Sequence, residues 1–418
     1  MTDNLKRQVA VTGIGIISSI GVTAAEVSDS LRLGRSGIVM DPERKSLGFR
    51  SGLTGKVKVV NPAAYGLDNK ALRTMGEPAL YGHCAATDAV AGAALSPELL
   101  GSGRCGLVFG NDSCIRSAAE AVDILRKEKG TRFVGSGRVF QGMNSSVTMN
   151  LGVRLGIRGA CWTLSAACAS GAHAVGQGVM LIRSGLQDVV VTGGAQETGW
   201  ESMVAFDALN AFSLREDAPQ KASRPFDRGR DGLVPSGGGA CLVLEDLEHA
   251  LKRKAPIRAV IRGYGFSSDG KHLSVPSSEG SERAVRQALD DAGIAPEMVG
   301  YINAHATSTP IGDAAEAKMI NRVFGTAVPV SSTKSMTGHE CWMAGASELI
   351  YCILMAEGGF IAPNINFEEA DPDCAGINVV SKTHTGKVRY VLSNSFGFGG
   401  TNAAIILDFD INRIRGEL

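Results

Sequence analysis

The chain has 418 residues, and its 42 basic side chains balance 42 acidic ones. That length supports a large core in two domains or two fused halves, and the balance of charge gives no global pull towards nucleic acid or a membrane surface. The 53 glycines imply many tight turns or close backbone approaches.

Nine cysteines stand at 84, 105, 114, 161, 168, 241, 341, 352 and 374. No CxxC or Cys/His ligand spacing appears among them, so neither a metal site nor a disulfide framework is expected. The opening MTDNLKRQVAVTG has no signal-peptide apolar region, and no apolar run reaches membrane-spanning length. A reducing cytoplasm is the expected compartment.

Gln8 to Thr12 reads as a first strand. The Gly13-Ile14-Gly15 after it is an incomplete dinucleotide fingerprint, because Ser18 stands where the third glycine would be. Ala25 to Leu33 reads as a helix stopped by Gly34, Lys70 to Ala93 as one long helical region, and Cys105 to Gly110 as a buried strand. The run RKEKGTRFVGSGR carries Arg126, Lys127, Lys129, Arg132 and Arg138. With Lys70 and Arg73 as companions, it is either a solvated surface or a docking patch for an acidic partner.

Thr163 to Ser184, TLSAACASGAHAVGQGVMLIRS, is the most unusual stretch. Leu164 reads as a strand end, and Cys168 stands where a helix begins. From Ser170 to Ser184 the one formal charge is Arg183, and a helix apolar on all sides is a buried one. Gly171, Gly176 and Gly178 weaken it in isolation, so close packing against other backbone is expected. Cys168 is either a small buried residue or a thiol activated by the helix N-terminus, whose unpaired N–H groups and dipole lower its pKa.

Asp188 to Val191 reads as a strand ending at Gly193-Gly194, Phe206 to Phe212 as an apolar loop or helix, Gly237 to Leu244 as a strand, and Glu245 to Lys254 as a charged helix. Pro256 opens a second half, so the expected division is 1–255 and 256–418. Ser281 to Ala292 reads as a helix stopped by Gly293. Val299 to Ala304 is a strand with His305 at its end, followed by a helix from Asp313 to Phe324. After a strand at Val328 to Ser331, Lys334 and His339 fall on a loop entering a second apolar helix, Met343 to Phe360. That helix echoes the one after Cys168. The last strand, Tyr390 to Leu392, opens into the glycine-rich NSFGFGGTN. Alternating strands and helices with apolar strands argue for an α/β protein whose sheets are covered on both faces. Reactive side chains gather at strand ends and helix starts, where such sheets place their sites.

SAACAS around Cys168, HATSTP at His305, KSMTGH from Lys334 to His339 and NSFGFGGTN near the end occur in this order. With them the chain resembles the β-ketoacyl-acyl-carrier-protein synthases, the elongating condensing enzymes of fatty-acid and polyketide synthesis, over nearly its whole length. The resemblance implies a thiolase-like five-layer αβαβα sandwich of two pseudo-repeated halves, working as a homodimer. It implies that Cys168 accepts the acyl group and that His305 and His339 act on malonyl. Lys334 would support the site, with Glu348, Asp313 and Glu316 as its ionic company. Thr307 and Thr309 would hold a phosphopantetheine arm that arrives on the carrier protein, so no resident cofactor is implied. Phe398 would be the mobile ring beside the nucleophile and Phe206 a wall. The N–H groups of Cys168 and Phe398 would form the oxyanion hole, and Lys70, Arg73, Arg126 and Lys127 would receive acyl-carrier protein.

Three departures stand out against that family pattern. GHECWMAG replaces GHxxGAAG, bringing Glu340, Trp342 and Met343 to the start of the second apolar helix. Ala306 replaces a glycine, and Asn111-Asp112-Ser113-Cys114 replaces a more glycine-rich segment bordering the acyl tunnel. Two rival readings belong beside the main one: a non-catalytic chain-length-factor-like subunit, which typically lacks the nucleophilic cysteine, and a thiolase, which needs a second cysteine that NSFGFGGTN does not supply.

Overall fold

The computed structural model describes residues 7–416; the leader reading of the first residues falls partly on 1–6, outside them. Ten strands carry the fold. In the first half they are β1 (Val9–Ile17), β2 (Cys105–Gly110), β3 (Cys161–Leu164), β4 (Val189–Gln196) and β5 (Gly238–Asp246). In the second they are β6 (Ala259–Ser268), β7 (Val299–Asn303), β8 (Pro329–Ser331), β9 (Tyr390–Gly397) and β10 (Thr401–Asp408). Spatial order is β1-β5-β4-β2-β3 in one half and β6-β10-β9-β7-β8 in the other, with Asn378–Val379 extending the β8 edge. Both halves therefore run first, fifth, fourth, second, third. The pairing senses match as well: two antiparallel joints, then two parallel ones. A short seam between Val9–Val11 and Ala259–Ile261 joins the halves edge to edge.

Strand parity shows how five layers arise, since alternate residues face opposite sides. Leu107, Phe109, Val189 and Val191 join the core under helix α2 (Glu77–Gly92), whereas Val108 and Val190 point into the central core. In the second half Ala404 and Ile406 face the outer helices, and Ile405 and Leu407 face inward. Between the two sheets lie α5 (Ser170–Arg183) and α8 (Ala344–Gly358). The outer layers hold α2 and α4 (Ser146–Leu155) on one side, α6 (Ser278–Ala292) and α7 (Pro310–Phe324) on the other. The remaining long helices are α1 (Ala24–Leu33) and α3 (Ile115–Glu128). Among the described residues no helix is long and apolar enough to cross a membrane.

The glycines of α5 work as close-contact points. A Cβ on Gly171 would stand 3.0 Å from the Trp342 carbonyl oxygen, and one on Gly345 only 2.5 Å from the Ala172 Cβ. The two central helices thus touch at their N-terminal ends. That contact brings the Cys168 turn to the His339 turn.

Several elements differ from the sequence reading. The region Lys70 to Ala93 is broken into Asn69–Leu72 and α2, because Gly76 caps a new helix with Pro78 in its first turn. β4 runs through Gly193-Gly194 to Gln196, paired throughout with β5. The charged helix is only Leu247–Lys252, since Glu245 and Asp246 complete β5. Lys334 opens a helical turn, Lys334–Thr337, rather than a loop. β9 continues through the glycine-rich motif to Gly397 because it forms a hairpin with β10, Gly397 opposite Thr401.

Candidate active site

Cys168 sits in a single turn of 3-10 helix, Ala167–Ala169, between β3 and α5, not on the first residue of the helix proper. Ala167 has φ +47°, a strained conformation for a residue with a Cβ. Its neighbours impose it. The Asp112 carboxylate accepts the Ala167 N–H at 3.1 Å, Ser170 Oγ accepts the Ala166 N–H at 2.8 Å, and Thr401 Oγ1 donates to the Ala166 carbonyl at 2.9 Å. The N–H groups of Phe398 and of Cys168 itself face the sulfur. Two donors converging on one point make a ready cradle for an oxyanion.

The helix start does not lower the thiol pKa of Cys168 as expected; burial raises it. Burial against apolar side chains pushes Cys168 up to about 11, against the pull of the Lys334 charge and the Phe398 N–H. The helix end cannot offset the loss of water around the sulfur, so the resting group at neutral pH is a thiol. Alkylation of Cys168 by iodoacetamide should therefore accelerate about tenfold per pH unit between about pH 7 and pH 9. Peptide mapping must separate it from the exposed Cys161. A rate already level at pH 7 would mean a resting thiolate.

His305 follows β7 and His339 precedes α8. Their rings meet edge to face with centroids 5.3 Å apart, and both line the same cleft as Cys168, a cavity of about 390 Å³. Burial and the nearby Lys334 charge lower both imidazoles well below their ordinary range, so both are neutral. Neither ring nitrogen of His339, nor Nδ1 of His305, has a partner among the described residues. Glu316 holds the His305 segment through its main chain: its carboxylate accepts the N–H groups of His305 (2.9 Å) and Ala306 (2.7 Å), and Asn394 Nδ2 donates to it as well.

Lys334 is 2 % exposed and donates to Glu348, itself 1 % exposed. This buried cation depresses both imidazoles and opposes the burial that raises the Glu348 carboxyl. Glu316 also feels its charge. Asp313 does not belong to this company. Its carboxylate accepts the Phe226 N–H at 2.9 Å and faces Arg230 at 3.6 Å, so it fixes the segment 226–230 instead.

At the mouth of the cleft Thr307 Oγ1 and Thr309 Oγ1 lie 3.1 Å apart, and both line the cavity. Phe398 stacks on Phe206, with centroids 6.0 Å apart. Farther out, Lys70 and Arg73 are exposed. Arg126 and Lys127 project at the end of α3, 77 % and 83 % exposed, beside Asp123 and Glu128. No three His, Cys, Asp or Glu side chains among the described residues form a metal-ligand group.

Residues 6–250 match the family model described as "Beta-ketoacyl synthase, N-terminal domain", and residues 258–368 match "Beta-ketoacyl synthase, C-terminal domain". The chain belongs to the β-ketoacyl synthase family. It is 44% identical over 404 residues to 3-oxoacyl-[acyl-carrier-protein] synthase 1 of Haemophilus influenzae, covering 96% of this chain and 98% of that one. The crystal structure of a β-ketoacyl synthase from Burkholderia phymatum superposes with a TM-score of 0.91 at 34% identity, covering 96% of this chain and 99% of that one. A type II polyketide ketosynthase in complex with its acyl-carrier protein, bound to a hexaketide, gives 0.86 at 29% identity, covering 96% and 99%. The fold is the thiolase-like sandwich of this family.

In this β-ketoacyl synthase the three departures from the family pattern separate. Glu340 turns away from the cleft into the core, where Tyr351 OH (2.7 Å) and Ser347 Oγ (2.5 Å) donate to its carboxyl group, raised by burial to about 7. Met343 belongs to the central core. Only Cys341 and Trp342 of that turn join the cluster around Cys168. Ala306 is buried, 2 % exposed, with its N–H donating to Glu316 at 2.7 Å and its carbonyl accepting from Ser332 Oγ at 2.7 Å. Asn111–Cys114 supplies Asp112 to the Cys168 turn and Ser113 to Trp342.

Four residues of the site have no role assigned to them by the sequence: Asp112, Asn394, His272 and Leu273. Asp112 and Asn394 lay inside segments already singled out, yet their partners are far away in the chain. The loop with His272 and Leu273 lines the cleft, and the Leu273 carbonyl accepts the Gly399 N–H at 2.7 Å. Its Asp269-Gly270 pair was the available signal, a turn dipeptide directly after a strand.

Proposed function

We propose that this chain is a β-ketoacyl-acyl-carrier-protein synthase in which Cys168 carries the growing acyl group. One observation carries the reading: a sulfur faced by two N–H donors shares a single cleft with two neutral imidazoles, three of whose four ring nitrogens are buried without a hydrogen-bond partner among the described residues. The sulfur attacks the acyl thioester, and the tetrahedral oxyanion is held by the N–H groups of Cys168 and Phe398. The carbon–sulfur bond to the carrier breaks, and its thiol departs with the proton that Cys168 gives up. Malonyl thioester then enters, loses carbon dioxide and leaves its bonding electrons as an enolate. Neutral His305 and His339 donate N–H bonds to the enolate oxygen. The enolate carbon attacks the acyl carbonyl on Cys168, the carbon–sulfur bond breaks, and a β-ketoacyl thioester two carbons longer is released. Burial, and then the Lys334 charge, lower both imidazoles well below their ordinary range, which favours the neutral N–H donors that the enolate requires.

Thr307 and Thr309, paired at the mouth, hydrogen-bond the phosphopantetheine arm, which the carrier protein brings with it. Asp313 and Glu316 fix the surrounding backbone, and Lys334 with Glu348 sets the site's charge. A second copy of the chain covers the open edge at β3, where Cys161 and Trp162 are exposed. The intact cysteine and histidines favour this reading over a chain-length-factor-like partner.

The test is reconstitution with acyl- and malonyl-loaded carrier protein. The expected result is a mass increment on Cys168, followed by carbon dioxide and β-ketoacyl-carrier product with ping-pong kinetics. A chain that binds carrier but forms no adduct and no product would sink the reading. In the same assay Arg126→Glu with Lys127→Glu should weaken carrier use in a salt-dependent manner; no change would move the docking patch elsewhere.

A further inference from the structure

Resting on the assignment of Cys168 as acyl carrier, we infer that Trp342 sets how long an acyl chain the sulfur can hold. It fills the apolar space beside the sulfur and restricts loading to short acyl groups.

The cleft lined by Thr307, Thr309, His305 and His339 must take both thioesters in turn. Once the first has loaded Cys168, its acyl tail has to leave that cleft so that malonyl can reach the histidines. Beside the sulfur lies a buried apolar cluster of Phe49, Met203, Phe212, Leu233, Cys341 and Trp342, each no more than 8 % exposed, of which only Leu233 also lines the cleft. Its chemistry suits a hydrocarbon tail, and its packing leaves little room for one. Interiors are packed at near-crystal density, so a tail that enters must displace something.

Trp342 is the bulkiest member of that cluster, at a position where the family pattern has glycine. It is also anchored. The indole Nε1–H donates to Ser113 Oγ at 3.1 Å, and the ring lies against Phe206 with centroids 6.2 Å apart. Its backbone cannot retreat, because its carbonyl oxygen already abuts Gly171 of α5. The neighbouring substitutions do not share this role: Met343 packs in the central core, and Glu340 is bound to Ser347 and Tyr351.

The experiment presents the full-length enzyme with acetyl-, butyryl-, hexanoyl-, dodecanoyl- and hexadecanoyl-pantetheine, and follows the Cys168 adduct by intact mass. Wild-type enzyme should load the short thioesters and take hexadecanoyl roughly tenfold or more slowly than butyryl, the scale of discrimination set by a hydrophobic pocket. Trp342→Gly should raise the hexadecanoyl-to-butyryl ratio by roughly tenfold or more. Trp342→Phe, which keeps a ring and loses the bond to Ser113, should shift the ratio less. Wild-type loading of hexadecanoyl as fast as butyryl overturns the inference whether or not a variant folds. So does an unchanged ratio in a Trp342→Gly protein that still melts cooperatively. Failure of every thioester to load would instead overturn the acyl-carrier role of Cys168, a result distinguishable from length-independent loading.

Discussion

Cys168→Ala should reduce acyl loading and condensation to background, a loss on the order of 10⁴–10⁶-fold, as when a covalent nucleophile is removed from other enzymes. The substitution takes away only the sulfur. The turn around it is held by Asp112, Ser170 and Thr401 through main-chain atoms, so the variant should fold and keep its cleft. Decarboxylation of malonyl needs donors to the enolate oxygen and not the thiol. Carbon dioxide release should therefore survive in this variant while no adduct forms. Product formation by Cys168→Ala would refute the nucleophile assignment.

His305→Ala and His339→Ala should show the opposite split. Acyl transfer to Cys168 uses the N–H groups of residues 168 and 398, so the adduct should still form. Release of carbon dioxide from malonyl thioester should fall by roughly 10²–10³-fold for each, the usual cost of losing one oxyanion donor. Glu316 grips the His305 main chain and not its ring, which limits the collateral damage of that substitution. Melting curves should accompany the assay, because each alanine leaves a small buried void. Unchanged carbon dioxide release in either variant would remove that histidine from the mechanism.

The outline of the fold was legible where local signals agree with tertiary demands. Cys105–Gly110 is an apolar run of strand length, and Gly34 and Gly293 stop their helices in the left-handed conformation, with φ +62° and +66°. The break between Leu72 and Glu77 was announced by Gly76 and Pro78, yet the apolar pattern on either side masks it. Glycines misled twice, at 193–194 and 397, because ladder partners on β5 and β10 keep those residues extended. At the site, motif residues could be named from the sequence, but their electrostatics could not. The thiol of Cys168 is raised by side chains such as Met203, Phe212 and Trp342 that reach it from distant segments. Likewise the fate of Glu340 depends on Tyr351, one face of a helix away, and nothing local marks it as buried.

The hydrogen bond from Thr401 to the Ala166 carbonyl spans 235 positions of sequence, and α8 must be made before α5 has its neighbour. During synthesis on the ribosome, an almost wholly apolar helix therefore waits for the last fifth of the polypeptide. Folding dominated by such remote pairings is slow, and the waiting surface is aggregation-prone. Maturation of this enzyme should thus draw on chaperones, and chains released before residue 401 should accumulate as insoluble material, not as partially active fragments.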